Sequence, residues 1–122
     1  MTATLDSPSG DLISLAVTIT DATARVTATG EIDSSSAPQL RTELDRLMDD
    51  GVCVLTVDLD GVSFLDSAGL CVLAAAHRRA VADGVHLRIL ASSRAVIRPL
   101  QITGLFDLLS VELISPGVGS TI

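Results

Sequence analysis

The stretch DLDGVSFLDSAGLCVLAAA, residues 58–76, decides how the chain is read. The apolar run before it, Val52, Cys53, Val54, Leu55 and Val57, has the near-continuous character of a central strand buried on both faces, and it ends at Asp58. The segment DGVSFLDS, residues 60–67, reads as a loop, and Ser67 to Ala82 as a helix closed by Gly84. Asp66 stands where a side-chain oxygen caps a helix, which makes Ser67 a first-turn residue. Backbone amides without intrahelical acceptors and the positive end of the helix dipole converge on that point. A hydroxyl placed there is within reach of a kinase, and the amides can accommodate part of a phosphate. Periodicity alone favours the plainer use, an ordinary capped helix start.

Upstream, Ile13, Leu15, Val17 and Ile19 alternate with Ser14, Thr18 and Thr20, and Ala24, Val26 and Ala28 continue the alternation after a turn at Asp21 and Ala22. This predicts a hairpin that ends at Gly30. A helix follows, with Ser34, Ser35 or Ser36 as cap, Ser36 and Gln39 at capping-box spacing, and Pro38 in the tolerant first turn. Leu40, Leu44, Leu47 and Met48 line its apolar face, Arg41, Glu43, Asp45, Arg46 and Asp49 its polar one, and Gly51 stops it. Downstream, Val85, Leu87, Ile89 and Leu90 predict a strand. Val96, Ile97, Leu100 and Ile102 predict a helix whose start Pro99 blurs, and a short apolar segment spans Leu108 to Leu113. The order β-β-α-β-α-β-α-β is that of an α/β fold, a mixed sheet opened by a hairpin and covered by helices.

At 122 residues the chain suits one domain, read here as residues 11–115 between a flexible arm, 1–10, and a flexible tail, 116–122. Hydrophobic residues make up 48%, yet Phe64 and Phe106 are the only aromatics, so the core must come from Leu, Val, Ile and Ala. The eight basic residues are all arginine, and the net charge of -7 repels phosphate backbones and anionic lipid surfaces. No nucleic-acid partner and no membrane insertion are expected. The longest strongly apolar run, Ala68 to Ala76, falls short of the roughly 20 residues that span a bilayer. The N-terminus lacks the charged opening of a signal peptide, so the expected location is cytoplasmic. Cys53 and Cys71 then read as two buried core thiols.

Other constellations carry less. Asp58, Asp60 and Asp66 lie near strand ends without metal-ligand spacing, and turn or cap roles explain them, so no metal is expected. Ser67 and His77, ten residues apart on one helix, sit roughly 15 Å from each other, too far for nucleophile and base. Leu65 occupies the first glycine position of a G-x-S-x-G elbow, and no phosphate-binding glycine loop is present. Neither a cofactor nor an enzymatic activity is expected. Arg78, Arg79, Arg88, Arg94 and Arg98 gather in the second half, where solvated faces are the simplest account of them and a second contact surface the alternative.

The run Val62-Ser63-Phe64-Leu65-Asp66-Ser67-Ala68-Gly69-Leu70 resembles the signature of STAS domains, the family of bacterial anti-sigma factor antagonists. Gly30-Glu31-Ile32-Asp33 resembles the family's turn into the first helix, and Ile102-Thr103-Gly104-Leu105-Phe106 the end of its third helix. Matching elements run from about residue 12 to 115. The resemblance implies a cytoplasmic regulator that binds an anti-sigma factor, itself serine kinase-like, and so releases a sigma factor. It places the phosphorylation site at Ser67, with a serine phosphatase reversing the modification. Gly30, Glu31, Asp33, Ser34, Asp66, Ser67, Ala68, Gly69 and Leu70 are the partner-binding residues it implies. A soluble STAS subunit of a stress-signalling or lipid-transport assembly is the alternative.

Overall fold

The computed structural model describes residues 2–5, by backbone alone, and residues 13–114. Six strands, β1 (Thr2–Leu5), β2 (Ile13–Thr20), β3 (Thr23–Ile32), β4 (Val54–Leu65), β5 (His86–Ala91) and β6 (Glu112–Leu113), form one sheet in that spatial order. The pairs β1–β2 and β2–β3 are antiparallel; β3–β4, β4–β5 and β5–β6 are parallel. Helices α1 (Ala37–Asp49), α2 (Ser67–Asp83) and α3 (Arg94–Ile102) make the parallel crossovers, and the short α4 (Leu105–Leu108) follows α3. The α/β order read from the sequence is present, with β1 and α4 added to it.

One sheet face is apolar because residues alternate along β2, β3 and the first half of β4: Leu15, Val17, Val26, Ala28, Leu55, Val57 and Leu59 are buried, whereas Ser14, Thr18, Thr20, Arg25 and Thr29 on the other face are exposed. Leu40, Leu44 and Leu47 of α1, Leu73 of α2 and Val96 and Leu100 of α3 complete the aliphatic core. Fully burying each such side chain contributes about 1.5–3 kcal/mol. On the polar face the guanidinium of Arg25 lies 2.6 Å from the carboxylate of Asp58, so that buried acid is paired.

The largest departure from the sequence reading is β4. The segment expected as a loop, residues 60–67, is strand as far as Leu65. Two register shifts against β3 explain why its pattern is unreadable: Thr27 pairs with Asp58 but Thr29 with Gly61, and Gly30 pairs with Val62 but Glu31 with Phe64. Each shift inserts one residue into β4. The core-facing positions therefore run Leu55, Val57, Leu59, then Val62 and Leu65, and the period of two is lost.

Four smaller corrections follow from local chemistry. Within the expected N-terminal arm, Thr2–Leu5 pair with Leu15–Thr18, supplying hydrogen-bond partners to what would be the open edge of β2; residues 6–10 and 116–122 lie outside the described residues. Cys53 and Cys71 are exposed and not core thiols, because Cys53 precedes β4 and Cys71 sits on the outward stripe of α2. Glu43 is buried, its carboxylate bonded to Arg46 one turn on, and does not point outward. Ser36 makes no capping bond: its hydroxyl donates to the Glu31 carbonyl, while the Asp33 carboxylate takes the Ser35 and Ser36 amides at 2.9 and 3.2 Å.

Helix α2 reaches the sheet through Gly69. A Cβ there would lie 2.3 Å from Cδ1 of Leu65 and 2.8 Å from Cγ2 of Ile32. Gly69→Ala is expected to destabilise the fold by about 1–3 kcal/mol through overpacking, read as a lower urea midpoint. Ser67→Ala, on the exposed side of the same turn, should stay within about 0.5 kcal/mol of the parent. Equal effects of the two substitutions would refute this account of the wedge.

Candidate functional site

The two turns singled out in the sequence lie side by side because β3 and β4 run parallel and end together. The final register pairs are Glu31 with Phe64 and Ile32 with Leu65, and the Asp66 amide then donates to the Ile32 carbonyl at 3.1 Å. Gly30 adopts a φ of 104°, a conformation that L side chains rarely take, and its carbonyl accepts from the Ser63 hydroxyl at 3.3 Å. The Gly30–Asp33 turn and the start of α2 are thus stitched into one platform.

Asp66 caps α2 in the way its position predicts: extended backbone, with its carboxylate accepting the Ala68 amide at 2.9 Å. Ser67 is the first helical residue and is exposed, and its side chain has no partner among the described residues. Around it the surface is acidic. Asp66 adjoins it, and Glu31 and Asp33 stand on the neighbouring turn. The Ser35 hydroxyl, followed by the Ser35 and Ser36 amides, holds the Asp33 carboxyl below the usual carboxylate range, so it stays charged at neutral pH.

The expected residues sort by exposure. Glu31, Ser34 and Ser67 are exposed, and Gly30, Asp33, Asp66 and Ala68 are half-buried, all on the shared platform. Gly69 and Leu70 are buried, so Gly69 serves the docking of α2 while Leu70 meets the surface only at the floor of a groove. Ser34 and Ala68 share an open groove of about 370 Å³ with Pro38, Arg41, Cys71 and Val72. Helix α2, apolar nearly all round its first two turns in sequence, resolves into a buried side with Leu70, Val72 and Leu73 and an outward stripe of Ser67, Cys71, Ala74 and Arg78.

The other candidates are engaged in structure. Asp58 pairs with Arg25, Asp60 bonds the Ser92 hydroxyl and Asp66 caps α2. Among the described residues no three His, Cys, Asp or Glu side chains gather as a metal site, and no helix is long and apolar enough to cross a membrane.

The family model for the STAS domain matches residues 14–120. The chain belongs to the STAS domain family. An anti-sigma-B factor antagonist of Bacillus subtilis is 37% identical to it over 93 residues, covering 76% of this chain and 84% of that protein. The crystal structure of an anti-sigma factor antagonist from Mycobacterium paratuberculosis has 30% identity and a TM-score of 0.76, covering 88% of this chain and 90% of the other. The unphosphorylated form of the anti-sigma factor antagonist SpoIIAA shares the fold at 20% identity, with a TM-score of 0.72 over 83% of this chain and 88% of its own.

In this STAS domain the motif residues divide into those that build the platform and those that face outward. Sequence reasoning missed Phe64 and Cys71 as surface residues. Phe64 faces outward because the inserted Ser63 shifts the register of β4 just before it, which the alternation of the sequence does not reveal.

Asp66→Ala should lower stability by about 1 kcal/mol through loss of the α2 cap, measured by chemical denaturation. Asp33 should contribute a pH-dependent part. Its folded-state pKa lies below the ordinary 3.8, so its stabilisation is full above that value and is lost as pH falls through the lowered one. Urea midpoints of the parent and Asp33→Asn, followed from neutral pH down through the carboxylate range, should converge at the acid end. A gap that widens on acidification would contradict the assignment.

Proposed function

We propose that this chain is an anti-sigma factor antagonist, a protein-binding regulator and not an enzyme, switched off by phosphorylation of Ser67. The observation that carries the reading is an exposed Ser67 hydroxyl, unpartnered among the described residues, on the first turn of α2, flanked by Asp66 and by the turn bearing Glu31 and Asp33. The antagonists of Bacillus subtilis and Mycobacterium paratuberculosis match over most of their own length, which favours this role over a subunit of a stress-signalling or lipid-transport assembly.

In this reading the unmodified chain presents Gly30, Glu31, Asp33 and Ser34 together with Asp66, Ser67 and Ala68 to an anti-sigma factor of the serine kinase type. Gly69 and Leu70 hold that surface in place. Binding of the antagonist displaces the sigma factor. The kinase then transfers the γ-phosphoryl group of ATP to the Ser67 oxygen: the hydroxyl proton passes to a base on the kinase and ADP leaves. A serine phosphatase reverses the step by attack of water at phosphorus, with the Ser67 oxygen as leaving group.

Charge explains why this ends the complex. The phosphate brings about -1.5 to -2 charges at pH 7 onto a surface that already carries Asp66, Asp33 and Glu31. Repulsion and the desolvation of a dianion inside an interface both oppose association. A penalty of about 3 kcal/mol weakens binding on the order of a hundredfold. Because the Ser67 side chain has no partner among the described residues, the switch needs no refolding.

The test is affinity capture with Ser67→Ala and Ser67→Asp baits, followed by kinase assay of the captured protein. An anti-sigma kinase held by the alanine bait and lost by the aspartate bait, able to phosphorylate the parent chain but not Ser67→Ala, is the expected result. Equal capture of the same partners by both baits, with no phosphate on Ser67, would sink the proposal.

A further inference from the structure

Beside the Ser67 platform lies a second surface that the switch does not use. An open groove of about 480 Å³ runs between the end of β4, the first turns of α2 and one side of α3. Phe64, Leu70, Pro99 and Ile102 line it, and Arg94 and Arg98 stand along it. Phe64 is 47% exposed and Ile102 75%, and they are two of only five large hydrophobic side chains exposed among the described residues. Solvent-facing apolar side chains gathered in one groove mark an interaction site more often than chance scatter does.

The arginines say what kind of partner fits. The chain has eight of them and a net charge of -7. Arg25, Arg41, Arg46, Arg79 and Arg88 are all ion-paired with carboxylates. Among the described residues Arg78, Arg94 and Arg98 have no acidic partner; Arg78 lies on the outward stripe of α2, whereas Arg94 and Arg98 stand one turn apart on α3 along the groove, a like-charge spacing that disfavours the helix. In so acidic a chain, two unpaired cations beside the apolar groove form a local inversion of charge. The groove is also too shallow to enclose most of a small ligand, as ligand pockets do, because Phe64 and Ile102 face solvent.

We propose that this groove docks an acid-rich amphipathic helix of the anti-sigma partner, its apolar face on Phe64, Leu70, Pro99 and Ile102 and its carboxylates on Arg94 and Arg98. The inference rests on the reading that the chain binds an anti-sigma factor, and adds to it an anchor separate from the Ser67 switch. A helix with apolar residues at i, i+3, i+4 and i+7 and acids on its flanks has the required pattern. A second copy of this chain is a poorer fit, because the apolar faces of its α1 and α2 are buried in its own core and present no exposed apolar face flanked by acids. The overall negative charge argues equally against an anionic lipid surface.

The experiment titrates the isotope-labelled full chain with two synthetic helical peptides of about four turns, one Leu/Glu and one Leu/Lys, at that spacing. The Leu/Glu peptide should shift the amides of Phe64, Leu70, Ala95 and Ile102, and its affinity should fall as salt is added. Charge reversal at Arg94→Glu with Arg98→Glu should weaken it about tenfold or more and let the Leu/Lys peptide bind instead. Phe64→Ala should weaken both modes. Unchanged dispersion of the remaining amides reports that each variant is folded. Absent or scattered shifts, or equal binding of both peptides by the parent, would overturn the proposal. So would concentration-dependent shifts of the same amides without peptide, which would assign the groove to a second copy. A Ser67→Asp bait that loses its partner while the peptides fail to bind removes the groove alone; peptide binding without any Ser67 dependence of capture removes the switch alone.

Discussion

The parallel pairing of β3 with β4, carried past two bulges to the bond between the Asp66 amide and the Ile32 carbonyl, is the joint on which the rest of this molecule depends. The first bulge turns Val62 into the core and leaves Gly61 outside; the second restores the original parity, so that Leu65 faces inward with Ser63 and Phe64 exposed. Leu65 then meets Ile32 and Gly69, and that contact sets where α2 begins. A one-residue slip in such a strand reverses which side chains reach the core. The position of Ser67, the cap at Asp66 and the groove beside Phe64 are all set by how β4 ends.

Electrostatics then divides the surface. Most of the arginines are spent on the chain's own carboxylates, as where Arg79 draws Asp45 and Asp49 of α1 together with Asp83 of α2. Exposed pairs of this kind contribute little individually, but they take up five of the eight arginines. The acidic turn around Ser67 and the two neighbouring cations on α3 remain as clusters of opposite sign, each without an ion pair among the described residues. One site is therefore sensitive to added negative charge, and the neighbouring one attracts it.

Much of this was legible in the sequence. The hairpin, the first two crossover helices and the buried start of β4 follow from period and composition, because each packs one clean face against the core. The helix cap at Asp66 and the exposure of Ser67 follow from the same local rules. Legibility ends where two residues share one pairing position: the bulges scramble the alternation of residues 58–65, and a strand there looks like a loop. The cysteines misled because thiols are commonly buried, and only the phase of α2 on the sheet decides that Cys71 faces outward. Glu43 misled in the opposite sense, since burial of a carboxylate depends on an arginine one turn away. The groove beside Phe64 joins residues some thirty positions apart and has no periodic signature at all.

The contrast between Ser67 and Gly69 has a consequence for inheritance. The hydroxyl of Ser67 holds none of the described residues in place, whereas two positions on even a methyl group meets Leu65 and Ile32. The proposed regulation and the architecture are thus written two letters apart and mutate independently. In the proposed switch, one base change at the serine codon silences the relay and reversion reinstates it, without passing through an ancestor that fails to fold.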